Sequence, residues 1–141
     1  MIINGNPKIS LDLRNGVYFL DLYPATGKSY LADELSSRVP DNSNIYVGTY
    51  KNGRYVGFGN RSSASVIMFD RLDMYFHSKV AKFIVEKSKD AIVIVDLKNL
   101  NLMIKYLVGV YFDIVYIEFD EHEIRVGEDV YKRQTICFFW H

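Results

Sequence analysis

The chain has 141 residues, with 17 Lys and Arg against 17 Asp and Glu and a hydrophobic fraction of 49%. One domain with enough apolar material for a core follows from those figures, and the even charge balance excludes the broad basic footprint of a dedicated nucleic-acid binder. No run of about 18 apolar residues is present to cross a membrane as a helix. Residues 1–10 have neither the basic start nor the apolar middle of a secretory signal. The single cysteine, Cys137, excludes an internal disulfide framework and a cysteine-based zinc site, so a cytoplasmic protein is expected.

From the N-terminus, Ile2-Ile3 and Ile9 to Leu13 flank Asn4-Gly5-Asn6-Pro7 as a short hairpin would. After the Asn15-Gly16 turn, Val17 to Leu20 is an apolar run suited to a strand covered on both faces. Gly27 to Val39 carries Leu31, Leu35 and Val39 at helical spacing, and Pro40 ends that helix. Asn44 to Tyr50 is the next strand, and Asn52-Gly53 turns it into a hairpin with Tyr55-Val56. Residues 57–65, rich in Gly, Asn and Ser, read as a loop.

Ser65 to Phe69 is a buried-type strand that stops at Asp70. Leu72, Phe76, Val80, Phe83, Ile84 and Lys87 then follow one long amphipathic helix. Ala91 to Val95 is another buried-type strand, stopping at Asp96. Leu100, Met103, Ile104 and Leu107 mark a short helix closed by Gly109, Ile114 to Phe119 is the last strong strand, and Glu123 to Val126 hairpins back on it. This alternation predicts an α/β fold, a mostly parallel sheet flanked by helices on both faces. Its ligand rim would lie at the strands' C-terminal ends, at Asp21–Ser29, Asp70–Asp73, Asp96–Asn99 and Glu118–Glu121.

The tail stands apart. Asp129-Val130-Tyr131-Lys132-Arg133-Gln134 is the translation of the transposon mosaic end GATGTGTATAAGAGACAG used in sequencing adapters, and Thr135 to His141 would follow out of context. Residues 1–128 are therefore read as the domain and 129–141 as a non-native tail. On this reading Cys137 and Trp140 carry no information, and the domain is open to continuing past Glu128.

Leu22-Tyr23-Pro24-Ala25-Thr26-Gly27-Lys28-Ser29 resembles the Walker A motif of P-loop NTPases, G-x-x-x-x-G-K-[ST], with Leu22 in place of the first glycine. The pattern suits phosphate because a strand delivers a loop of inward-facing N–H groups to a helix N-terminus, and Gly27 lets backbone approach the ligand. The resemblance implies a P-loop NTPase-like three-layer sandwich binding ATP or GTP with Mg²⁺. It implies that Pro24, Ala25, Thr26, Gly27, Lys28, Ser29 and Tyr30 hold the phosphates, with Lys28 on the β- and γ-phosphates and Ser29 on the metal.

Val66-Ile67-Met68-Phe69-Asp70 fits the accompanying Walker B description, which makes Asp70 a catalytic carboxylate and second metal residue; Ala91 to Asp96 competes for that role. The alternative for Lys28 is a solvated side chain at an ordinary strand-to-helix turn, and for either acid a helix N-cap. Leu22, and Arg71 where many hydrolytic members carry Glu, weaken the case for hydrolysis. Asp73, Asp96 and Glu118 are base candidates from rim position, and Arg61 and Arg71 are the arginines available to γ-phosphate.

Weaker signals are Glu121-His122-Glu123, without a second histidine at ligand spacing, and Tyr46, Tyr50 and Tyr55 near Lys51, Arg54 and Arg61, a pattern that can stack bases. Three functions follow: an NTPase or phosphotransferase; a degenerate P-loop domain serving as a non-catalytic binding or regulatory module; and a receiver-like phosphoacceptor using Asp21, Asp70, Asp96 and Lys98. The expected partner is a nucleoside triphosphate, with a protein partner or a second copy left open, nucleic acid disfavoured yet also left open, and no membrane.

Overall fold

Three apolar runs form the centre of the molecule: β3 (Gly16–Leu20), β6 (Val66–Phe69) and β7 (Ile92–Val95), each buried at every residue. A computed structural model describes residues 1–20, 27–51, 54–56 and 63–128. Residues 21–26, which include Leu22, Pro24, Ala25 and Thr26, lie outside the described residues. So do the Asn52-Gly53 turn, Arg61 and the 129–141 tail.

The remaining elements are β1 (Ile2–Ile3), β2 (Lys8–Asp12), α1 (Lys28–Arg38), β4 (Ile45–Lys51), β5 (Arg54–Val56), α2 (Ser78–Lys87), α3 (Asn101–Ile104), β8 (Phe112–Phe119) and β9 (Glu123–Gly127). They make one nine-stranded sheet in the order β1-β2-β9-β8-β3-β7-β6-β4-β5. The five central strands β8, β3, β7, β6 and β4 run parallel. The pairs β1–β2, β8–β9 and β4–β5 are antiparallel, and β2 joins β9 in parallel, Lys8 to Glu123 through Asp12 to Gly127.

The expected α/β architecture, a mostly parallel sheet inside a three-layer P-loop NTPase-like sandwich, is therefore corrected. The sheet is mixed and curled into a half-barrel with few helices. Each short hairpin read from the sequence adds its strands to the same sheet, so antiparallel pairs enter at both ends. The curl forms around α1. Its buried Leu31, Ala32 and Leu35 share one core with Ile3, Ile9, Leu11, Ile124 and Val126 from one end of the sheet and Ile45, Val66 and Met68 from the other. The Arg38 guanidinium ties α1 to that first end by donating to the Pro7 carbonyl.

On the opposite face Val80, Ala81 and Ile84 of α2 and Met103 of α3 cover Val17, Phe19, Ile67, Phe69, Val93 and Val95. On the outer face of β2, β9 and β8, Ser10, Asp12, Tyr116, Glu118 and Arg125 line an open groove. No helix among the described residues is long and apolar enough to cross a membrane.

The helix expected from Leu72 to Lys87 is split. Leu72–Met74 is a 3₁₀ turn and α2 begins only at Ser78. The Tyr75 hydroxyl donates to the carbonyls of Asp70 at 2.6 Å and Gly48 at 3.2 Å, holding this stretch against the sheet edge. His77 Nδ1 then accepts the Lys79 N–H at 3.0 Å and caps α2. Helix α3 is shorter than its apolar spacing implied, four residues followed by turns.

Because Leu35 is fully buried in the core that α1 shares with both ends of the sheet, Leu35→Ala is expected to cost about 2–5 kcal/mol. Urea unfolding followed by far-UV circular dichroism measures this, with Ser37→Ala on the exposed side of α1 within about 0.5 kcal/mol of wild type.

Candidate functional site

Strands β6 and β7 pair with Phe69 opposite Val95. The next residue on each is an aspartate, so Asp70 and Asp96 leave the sheet side by side at its C-terminal edge. Backbone bonds hold the exits together: the Asp96 N–H donates to the Phe69 carbonyl at 2.9 Å, and the Leu72 N–H to the Asp96 carbonyl at 2.8 Å. Between them Arg71 takes a left-handed backbone, φ 49° and ψ 51°, a conformation unfavourable for a residue with a Cβ. Its N–H donates to Asp96 Oδ2 at 3.3 Å, its Nη2 donates to the Tyr50 carbonyl at 2.6 Å, and its Nε lies 3.8 Å from Asp70 Oδ2.

Lys28 opens α1 and reaches this edge. Its ammonium lies 3.8 Å from Asp96 Oδ1, and its side chain is 16% exposed against 14% for Asp96. The lysine is thus drawn over the strand ends rather than solvated, and its partner is Asp96, the competitor carboxylate, rather than Asp70. Gly27 precedes it with φ +87°, and no described side chain caps the helix. A Cβ at Gly27 would come within 2.8 Å of the Phe119 ring. Backbone conformation and space therefore both call for glycine here.

Ser29 and Asp70, the two expected metal residues, line one groove of about 500 Å³ between α1 and the ends of β4 and β6, together with Asp33, Thr49 and Arg71. Thr49 Oγ1 donates to Asp70 Oδ2 at 3.3 Å. Burial, and then the charge of Asp96, hold the Asp70 carboxyl above its ordinary range, partly offset by Thr49 and Arg71, and Asp33 adds to the rise. Asp33 has no place in the motif-based reading. It lies one turn beyond Ser29 on the same face of α1, a spacing that could have found it.

Of the other candidates, Asp73 is engaged across the rim, its carboxylate accepting the N–H of Lys98 at 2.8 Å and of Asn99 at 3.3 Å. Glu118 is 77% exposed and pairs with Arg125, on the far side of β8. Glu123 is bridged by Lys8, Arg125 and Ser10, and His122 lies in the turn before it. Among the described residues no group of three or more His, Cys, Asp or Glu is arranged to hold a metal ion. Tyr46 is buried against Phe69 and Phe83, and the Tyr50 ring stacks on Tyr75, so these two do not form the open base-stacking row read from the sequence. Tyr30, the last of the expected phosphate-site residues, packs edge-on against Phe119 with ring centres 5.4 Å apart.

No protein-family model matches the chain, and no curated protein matches it in sequence.

Two outcomes are expected from these contacts. Gly27→Ala meets an unfavourable φ and the Phe119 ring, so a loss of about 1–2 kcal/mol is expected in chemical denaturation. For Asp70, a folded-state pKa above the ordinary 3.8 means that the native state holds its proton more tightly than the unfolded chain. Its contribution to stability therefore falls as pH rises from about 3.8 through the raised value. Asp70→Asn is expected to melt at or above wild type at pH 7 and to lose that advantage below the ordinary aspartate pKa, as thermal melts across pH would record.

Proposed function

We propose that the chain binds a nucleoside triphosphate, ATP or GTP, with Mg²⁺, at the C-terminal edge of its central strands and in the cytoplasm. It would be a phosphate site of the Walker A kind set in a mixed, curled sheet. The observation that carries it is the position of Lys28. An ammonium on the first residue of α1, shielded from solvent and turned onto the strand ends, is where a polyphosphate would meet it. Its neighbour Gly27 takes the left-handed φ of +87° that leads the chain into α1, and the helix N-terminus adds its dipole.

The residues on the edge fit a hard cation. Ser29 and Asp70 offer oxygen donors in one groove, and the Asp70–Asp96 pair would be relieved by positive charge. When bound, Mg²⁺ would offset phosphate charge. Lys28 would exchange Asp96 for phosphate oxygens, and Asp96 would keep its hold on the Arg71 N–H.

A binding module without turnover is the second reading, and a specific observation favours it. Two of the acids considered as a base already accept backbone N–H groups, Asp73 from Lys98 and Asn99 and Asp96 from Arg71, and Glu118 lies exposed on the outer face of β8 beside Arg125. Arg71, next to Asp70, brings a cation where an activated water would need a carboxylate.

Calorimetry with Mg·ATP and Mg·GTP tests both. Wild type is expected to bind and Lys28→Ala to bind at least about tenfold more weakly, the scale of one charge-assisted hydrogen bond. Absence of binding by wild type overturns the proposal. Phosphate release above the level of Lys28→Ala assigns turnover; bound nucleotide without release assigns the module.

A further inference from the structure

Phe119 is a large apolar side chain left 52% exposed at the edge where the proposed phosphate site lies. Its position follows from strand lengths. The pairing of β8 with β3 ends at Val115 opposite Leu20, and β8 runs on for four more residues, about 13 Å at strand rise. Side chains alternate along a strand, so Ile117 and Phe119 follow Val115 onto the face that carries α1. Phe119 thus reaches past the end of β3 to the start of α1. Its ring lies 2.8 Å from where a Cβ on Gly27 would be, and Tyr30 packs edge-on against it, ring planes 64° apart.

We infer that Phe119, backed by Tyr30, is the platform on which the base of the bound nucleotide stacks; the inference rests on the phosphate site proposed above. The ring lies against Gly27 and Tyr30, the residues on either side of Lys28 and Ser29, so a base extending from phosphates held there would meet it. The Tyr30 edge fixes the ring without covering its exposed part. Stacking reads the flat face of a base and not its hydrogen-bonding edge, so this platform accepts adenine and guanine alike. It also divides the ligands by class. A nucleoside triphosphate gains from it, and inorganic tripolyphosphate, with the same charges and no base, does not.

The test compares those two ligands by calorimetry, with Mg²⁺ present, on wild type, Phe119→Ala and Phe119→Trp. ATP affinity is expected to fall about tenfold or more in Phe119→Ala, the scale of one lost base–aromatic stack. Tripolyphosphate affinity should stay within about twofold, and Phe119→Trp should retain ATP binding. The exposure of the side chain makes the alanine variant tolerable to the fold, and unchanged tripolyphosphate binding reports that directly. A parallel loss of both ligands, or no loss of either, overturns the platform and leaves the phosphate site standing. Wild type that binds neither ligand overturns the phosphate site and the platform with it.

Discussion

The pairing of Phe69 with Val95 forces the next residue of each strand, Asp70 and Asp96, out of the sheet at the same edge. Neighbouring strands are about 4.8 Å apart, so two carboxylates at matched exits repel unless something intervenes. Here the intervening groups come from three directions: the Lys28 ammonium from α1, the Thr49 hydroxyl from β4 and the Arg71 backbone between them. The strained dihedrals of Arg71 belong to this arrangement. A relaxed backbone there would carry its N–H away from Asp96. Concentrated charge at the end of an apolar sheet costs stability, and such costs commonly mark the place where a protein meets a ligand.

The curl of the sheet depends on a different balance. Helix α1 presents only Leu31, Ala32 and Leu35 as fully shielded residues, too little surface to satisfy nine strands laid flat. Bending both ends of the sheet toward α1 lets the side chains of β1, β2 and β9 meet those of β4 and β6 in one core. The face turned outward at β2, β9 and β8 can then stay polar, as Ser10, Asp12, Glu118 and Arg125 show.

Much of the local structure was legible. The buried runs Val17–Leu20, Ser65–Phe69 and Ala91–Val95 announced themselves because strands covered on both faces need continuous apolar residues. Leu31 and Leu35 marked α1 by their spacing. The assembly was not legible in the same way. Nothing local in Lys8–Asp12 says that it pairs with Glu123–Gly127, and that pairing turned an expected layered sandwich into a mixed, curled sheet. The break before α2 was hidden because Phe76 keeps helical spacing while the Tyr75 hydroxyl is drawn to carbonyls on two other segments. At the candidate site the motif pointed to Lys28, Ser29 and Asp70. It could not tell which acid the lysine would meet, a matter of tertiary geometry, and it passed over Asp33 and Phe119, whose positions depend on what lies across the groove or beyond a strand's end.

The parallel ladder between β2 and β9 also shapes how the chain comes to be folded. Residues 8–12 leave the ribosome early, yet their partners, residues 123–127, arrive more than a hundred residues later. Throughout that interval one edge of the nascent sheet stays open, with Ile9 and Leu11 unclosed on one side. Long-range closures of this kind slow folding and leave edges available to other chains. The short hairpins at both ends of the sheet, which complete themselves locally, shorten the list of contacts that must wait.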